Sequence, residues 1–203
     1  MLTQVAAQGT NVVEAFLVSL STVALAEIGD RTQLLTLVLA ARYRRPWPIV
    51  AGIFLATAAN HALAGLVGVW FGKYLSPPVL DAIVGVGLLA MAAWTLFPDK
   101  PDAETDFRSR EAFVATLIAF FITEIGDKTQ IATIALAAGY SNLFAVVSGT
   151  TLGMLIANVP VAFAGNAFAA KLPMRAIRFA ASGLFLVLGL LFAGRAVWMW
   201  LGA

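Results

Sequence analysis

The chain of 203 residues has no cysteine and one histidine, His61. Disulfides, thiolate metal sites and cysteine nucleophiles are therefore excluded, and no His/Cys set exists to hold zinc or copper. Charge is scarce too: 12% of residues are charged, 61% are hydrophobic, and mean hydropathy is +0.89. A soluble domain carries about twice that charged fraction, so this composition belongs to a membrane protein. The pI of 9.2 does not mark a nucleic-acid surface, because the 13 bases lie singly or in threes between apolar runs rather than in a stripe. Met1 to Asn11 lacks the basic flank of a signal peptide and runs into an apolar span with no small-residue cleavage pattern, so that span is expected to persist in the mature protein.

Polar or Pro/Gly punctuation divides the chain into six apolar segments, about 12–41, 47–71, 78–97, 112–138, 142–168 and 174–201. Each is near or above the ~20 residues a helix needs to cross a bilayer, which predicts an all-α membrane protein of six transmembrane helices. The breaks are Arg42 to Pro46, Lys73 to Pro78, Pro98 to Arg110, Gly139 to Asn142 and Lys171 to Pro173. Pro98 to Arg110, of mixed charge, reads as a solvated connector. Trp70, Trp94, Trp198 and Trp200 near span ends read as interfacial anchors.

Residues 14–41 lie over 111–138 at a constant offset of 97 without a gap, and 14 of the 28 positions are identical. This is an internal duplication: a first three-helix repeat at 1–97, a cytoplasmic linker at 98–110 and a second repeat at 111–203. Nine of the 13 bases fall in alternate connections, at Arg42, Arg44, Arg45, Lys100, Arg108, Arg110, Lys171, Arg175 and Arg178. The positive-inside rule places those connections in the cytoplasm and both termini outside. An odd number of helices per repeat makes the second repeat inverted relative to the first, an arrangement frequent among secondary transporters.

Within the duplicated stretch, Glu-Ile-Gly-Asp-(Arg/Lys)-Thr-Gln occurs at Glu27 to Gln33 and at Glu124 to Gln130, each near the middle of its span. A central Asp, Arg or Lys costs roughly 2.5–3.5 kcal/mol on insertion scales, so Asp30, Asp127, Arg31 and Lys128 together cost on the order of 10 kcal/mol before any pairing. Such residues point to an ion path. On a continuous helix Glu27 and Asp30 share a face, as do Glu124 and Asp127, and Arg31 and Lys128 reach back one turn to pair with Glu27 and Glu124. Gly29 and Gly126 permit a local unwinding or a close helix crossing.

The four acids, with Thr32, Gln33, Thr129 and Gln130 within a turn, make an oxygen-only donor set suited to a hard divalent cation, Mn²⁺, Ca²⁺ or Mg²⁺. Four acids against two bases, Arg31 and Lys128, leave a formal −2, which one divalent cation or two protons would neutralise. The same four acids are thus candidates for both metal and proton. Asn60, His61 and Asn158 are candidate cavity-lining residues; Asn158 falls opposite His61 at the offset of 97. No resident cofactor is called for. The implied partners are the cation, protons and the lipid bilayer.

The doubled E-x-G-D-(K/R)-(T/S) motif resembles that of the Gdt family of cation/proton exchangers, which includes bacterial manganese exporters and Golgi and chloroplast-envelope manganese/calcium transporters. The likeness spans nearly the whole chain. It implies exchange of Mn²⁺, or Ca²⁺, for protons at Glu27, Asp30, Glu124 and Asp127, with Thr32, Gln33, Thr129 and Gln130 around them, and export of Mn²⁺ across an inner membrane. Two readings from other classes stand beside it: an intramembrane aspartyl protease with Asp30 and Asp127 as its dyad, and a non-transporting structural bundle.

Overall fold

The computed structural model describes residues 2–97, 112–164 and 174–202. The expected linker at 98–110 and the break at Lys171 to Pro173 lie outside the described residues. Among these every regular element is a helix: α1 (Leu2–Glu27), α2 (Arg31–Tyr43), α3 (Pro46–Tyr74), α4 (Pro77–Thr95), α5 (Ala112–Glu124), α6 (Lys128–Gly139), α7 (Leu143–Ala164) and α8 (Met174–Leu201). The boundaries follow local chemistry. Arg44, left-handed at φ 53°, closes α2 with its N–H on Ala40 O, and Pro46 opens α3 at a position that needs no donor. The Pro77-Pro78 pair opens α4 in the same way.

Helices α3, α4, α7 and α8 are each long and apolar enough to cross a membrane. The segments expected as single helices at 12–41 and 112–138 are instead broken. α1 and α2 meet at a bend of 68° and pass as a span only as a pair, and α5 and α6 part at Ile125 to Asp127. The outer surface carries many large apolar side chains, with Trp198 at 78% exposure and Leu201 at 84%. Such a surface is stable against lipid tails rather than water. Trp70, Trp94 and Trp200 are also exposed.

The closest packing joins α1 to α7, α3 to α5 and α4 to α8. Two of these contacts are built from residues 97 apart. A Cβ added at Gly52 would lie 2.8 Å from Thr116 Cβ and 2.9 Å from Phe113 O; one added at Gly149 would lie 2.9 Å from Ser19 Cβ and 2.5 Å from Phe16 O. In the α4–α8 pair, Ser182 donates to Ala92 O at 2.8 Å, and a Cβ at Gly85 would meet Gly189 O at 3.0 Å. Ser182 and Gly189 lie 97 beyond Gly85 and Ala92. Small residues let backbones approach, which is what association needs where lipid offers no hydrophobic drive. Around these crossings Val23, Leu39, Ile49, Ile53, Phe120 and Met154 form one core, and Val84, Leu88, Met91, Phe185 and Phe192 another.

Gly52→Ala and Gly149→Ala should each lower the melting temperature of the detergent-purified protein by the equivalent of about 1–3 kcal/mol, the usual cost of overpacking. Gly87→Ala, where an added Cβ meets nothing within 4 Å, should leave it unchanged or raise it.

Candidate cation site

Both motifs fold as helix breaks. Gly29 adopts φ 84° and Gly126 φ 77°, a left-handed turn costing roughly 1–2 kcal/mol for a residue with a Cβ. The turn is pinned on each side. Asp30 N–H donates to Glu27 O at 3.0 Å and Asp127 N–H to Glu124 O at 3.1 Å. Gly29 N–H donates to Gln33 Oε1 at 2.9 Å and Gly126 N–H to Gln130 Oε1 at 2.7 Å. Gln33 also donates from Nε2 to Ala157 O at 2.9 Å, tying the break to α7. Of the two roles open to the motif glycines, the unwinding is the one found; no atom lies within 4 Å of a Cβ added at Gly126.

Each break turns one helix end toward another. Glu27 and Glu124 are the last residues of α1 and α5, and Asp30 and Asp127 are the N-caps of α2 and α6. An acid at an N-cap is favoured by the partial positive charge there, whereas the carbonyl-bearing end of α1 or α5 favours a cation. All four acids are buried, at 0% for Glu27 and Glu124 and 2% for Asp30 and Asp127. One oxygen from each of Glu27, Asp30 and Asp127 lies within 4.8 Å of the others, so carboxylates from both motifs form one cluster. Thr32 Oγ1 donates to Glu27 Oε2, and Thr129 sits with N and Oγ1 each 3.4 Å from Asp127 Oδ2. Glu124 is not in that threefold cluster; its Oε2 lies 3.6 Å from Nε2 of the fully buried His61.

The bases do not fold back on their own glutamates. Arg31 Nη2 lies 3.0 Å from Asp127 Oδ1 and donates to Thr123 O at 2.8 Å, while Lys128 Nζ lies 2.6 Å from Asp30 Oδ1. Each motif's base holds the other motif's aspartate. The expected pairing needed an unbroken turn between residues four apart; the left-handed glycine abolishes that turn and starts Arg31 and Lys128 on a new helix with a new direction.

The two asparagines, Asn60 and Asn158, are buried and bonded. Asn60 Nδ2 donates to Phe121 O at 3.0 Å. Asn158 Nδ2 donates to Met154 O at 3.2 Å, and its Oδ1 lies 2.7 Å from Thr36 Oγ1. Sequence reasoning passed over Thr36 and over Thr95, which faces Asp30 and Lys128 across a narrow crevice from α4. Thr36 repeats at Thr133 under the offset of 97, a signal available in the sequence; Thr95 is matched by Phe192 and left none. A cavity of about 400 Å³ between the ends of α2 and α7, bordered by Leu37, Ala41, Arg44 and Phe163, touches none of the acids.

Breaking a buried ion pair by removing one partner costs about 3–5 kcal/mol, whereas removing both is far milder. Lys128→Met should therefore destabilise the purified protein markedly, and Asp30→Asn/Lys128→Met should melt closer to wild type than the sum of the single losses. Additive losses in thermal melting would mean that the pair is not coupled.

A family model described as the divalent cation/proton antiporter GDT1 matches residues 15–103 and again residues 112–200. A Vibrio cholerae protein described as "Putative manganese exporter" is 55% identical over 181 residues, covering 89% of this chain and 90% of that protein. A GDT1-like protein of Synechocystis is 31% identical over 207 residues, covering 92% and 96%. The Saccharomyces cerevisiae divalent cation/proton antiporter GDT1 is 23% identical over 237 residues, covering 90% and 84%. No solved structure gives a significant match. The doubled motif, the buried carboxylates and the match over both halves agree: the chain is a multi-pass membrane protein of the GDT1 family of divalent cation/proton antiporters, a family of transporters rather than enzymes.

Proposed function

We propose that this chain exports Mn²⁺ from the cytoplasm in exchange for protons, using the carboxylates of both motifs as one site. The observation that carries the reading is the buried cluster of Glu27, Asp30 and Asp127, whose oxygens lie within 4.8 Å of one another. Three carboxylates with Thr32 and Thr129 beside them offer hard oxygen ligands at a spacing a divalent cation can bridge. Glu124, beside His61, completes the acid set and contributes its charge. Gln33 and Gln130 hold the glycine turns, and Asn60 and Asn158 brace the neighbouring helices. The likeness to the Vibrio protein, described as a manganese exporter, favours Mn²⁺ over Ca²⁺.

The chain is best read as two inverted three-helix repeats, 1–97 and 111–203, joined by a cytoplasmic linker at 98–110. Three observations support this: the double family match, the Gly52 and Gly149 crossings built from residues 97 apart, and the swapped pairing of Arg31 with Asp127 and Lys128 with Asp30. Each motif segment then makes one bent span, for six in all, with both termini outside the inner membrane. A cysteine at Ser76, between α3 and α4, should be labelled by an impermeant maleimide in intact cells. Protection there, with labelling in inverted vesicles, would reverse the orientation.

Charge supplies the coupling. Four acids and two bases leave −2, and a site carrying that charge through a low-dielectric interior is costly. The site therefore re-crosses with either a divalent cation or about two protons, coupled rather than individual titrations setting the exchange. In proteoliposomes, Mn²⁺ movement should change lumenal pH and be insensitive to a potential clamped with valinomycin. Flux that followed the potential and ignored the pH gradient would make the protein a uniporter. Glu27→Gln, Asp30→Asn, Glu124→Gln and Asp127→Asn should each reduce flux at least tenfold while the protein still inserts. An aspartyl protease dyad needs two acids facing each other and sharing a proton; here each aspartate is bound to a base from the opposite motif.

A further inference from the structure

Lys128 Nζ lies 2.6 Å from an oxygen of Asp30, and its side chain is only 4% exposed. A divalent cation bound at Asp30 repels this ammonium, and a buried ammonium displaced without an acceptor is strongly disfavoured. The exchange therefore requires somewhere close by for the ammonium to go.

A crevice of about 10 Å³, room for one water-sized group, adjoins the pair. Its walls include Leu25 and Ala26 at the end of α1 and Gly29 in the break, together with Asp30, Lys128 and Thr95. The end of α1 is electronegative for a specific reason. The N–H groups that would continue its ladder to Leu25 and Ala26 belong to Gly29 and Asp30, and these donate instead to Gln33 Oε1 and Glu27 O. The negative pole of a long helix thus faces the crevice. Thr95, 3% exposed, donates its hydroxyl hydrogen to Met91 O at 2.8 Å, which leaves its oxygen lone pairs to accept.

The other half shows what such a place does. Arg31 donates to Thr123 O at the end of α5 while also holding Asp127, and Thr123 lies 97 beyond Ala26. The guanidinium fork makes both contacts at once; an ammonium is a single point of charge and needs acceptors gathered around it. Arg31 is also 25% exposed against 4% for Lys128. The position equivalent to Thr95 is Phe192, whose ring packs at Gly139. The hydroxyl occurs only in the half whose base is the buried lysine.

We propose that Thr95 is a positioning residue for the exchange: with the carbonyl end of α1 it holds the Lys128 ammonium while a divalent cation occupies Asp30. The inference rests on the cation-exchange reading above. Without the hydroxyl, Lys128 is held more strongly on Asp30 and competes with the incoming ion.

Equilibrium Mn²⁺ binding to the full-length protein in detergent tests this by calorimetry. Thr95→Val should weaken binding roughly tenfold, the scale of one lost hydrogen bond to a charged group. Thr95→Ser should bind like wild type. Thr95→Ala should behave like valine despite its different volume, so that a packing defect is separated from the missing hydroxyl. Lys128→Met should bind more tightly than wild type, and adding Thr95→Val to it should change nothing. An equal loss from Thr95→Val with and without Lys128 would make Thr95 a direct ligand or a packing residue and overturn the proposal, as would unchanged binding by Thr95→Val alone. Wild-type protein that neither bound Mn²⁺ nor moved it would overturn the exchange reading as well; a functional wild type with an additive cycle overturns only the role of Thr95.

Discussion

Two ion pairs crossed between the halves of the chain, Arg31 with Asp127 and Lys128 with Asp30, organise this structure. Charges in an apolar interior need partners, and each motif's aspartate is paired with the base of the other motif. The two halves therefore bring these opposite charges together by packing against each other. The requirement explains why the close crossings at Gly52 and Gly149 lie where they do: they bring α5 against α3 and α1 against α7 so that the motif ends meet between them. Under the proposed exchange it also joins stability to function, because the groups that satisfy the buried charge would be the ones a transported cation contends with.

The helix breaks make the meeting possible. A continuous helix through Glu27 to Gln33 would direct its backbone polar groups along its own axis and offer none to an ion. With Gly29 and Gly126 left-handed, the chain presents helix C-terminal ends at Glu27 and Glu124 and N-terminal ends at Asp30 and Asp127. Non-helical backbone at membrane depth is tolerated where it is buried in protein. Gln33 and Gln130 serve that condition by accepting the glycine N–H groups. The motif is thus a recipe for a stable break as well as a set of candidate ligands.

The halves are alike in backbone and unlike in detail. His61 stands beside Glu124, while its counterpart Asn158 bonds within α7 and to Thr36. Thr95 borders the Lys128 pair, while Phe192 fills space beside Gly139. Glu27 joins the two aspartates, and Glu124 does not. The proposed exchange would gain from such differences, since identical halves would hold every carboxylate in the same environment.

The membrane class, the all-helical fold, the duplication at an offset of 97 and the four acids were legible in the sequence, because hydropathy, register and residue identity are carried by the chain itself. Four of the six expected spans correspond to long helices α3, α4, α7 and α8 for the same reason. The breaks were legible only as a possibility, since a glycine permits a left-handed turn without requiring one. The partners of Arg31 and Lys128, the pairing of Glu124 with His61 and the presence of Thr95 were not legible at all. Spacing along a helix describes neighbours one turn apart, and these contacts join residues roughly 30 to 100 positions apart. The sequence by itself determined that the motif charges lie within apolar segments and that they come in two matching sets. Only the tertiary structure decided which charge faces which, because the partners are set by the directions of four half-helices after two glycine turns, and those directions depend on how closely the small residues let the helices cross.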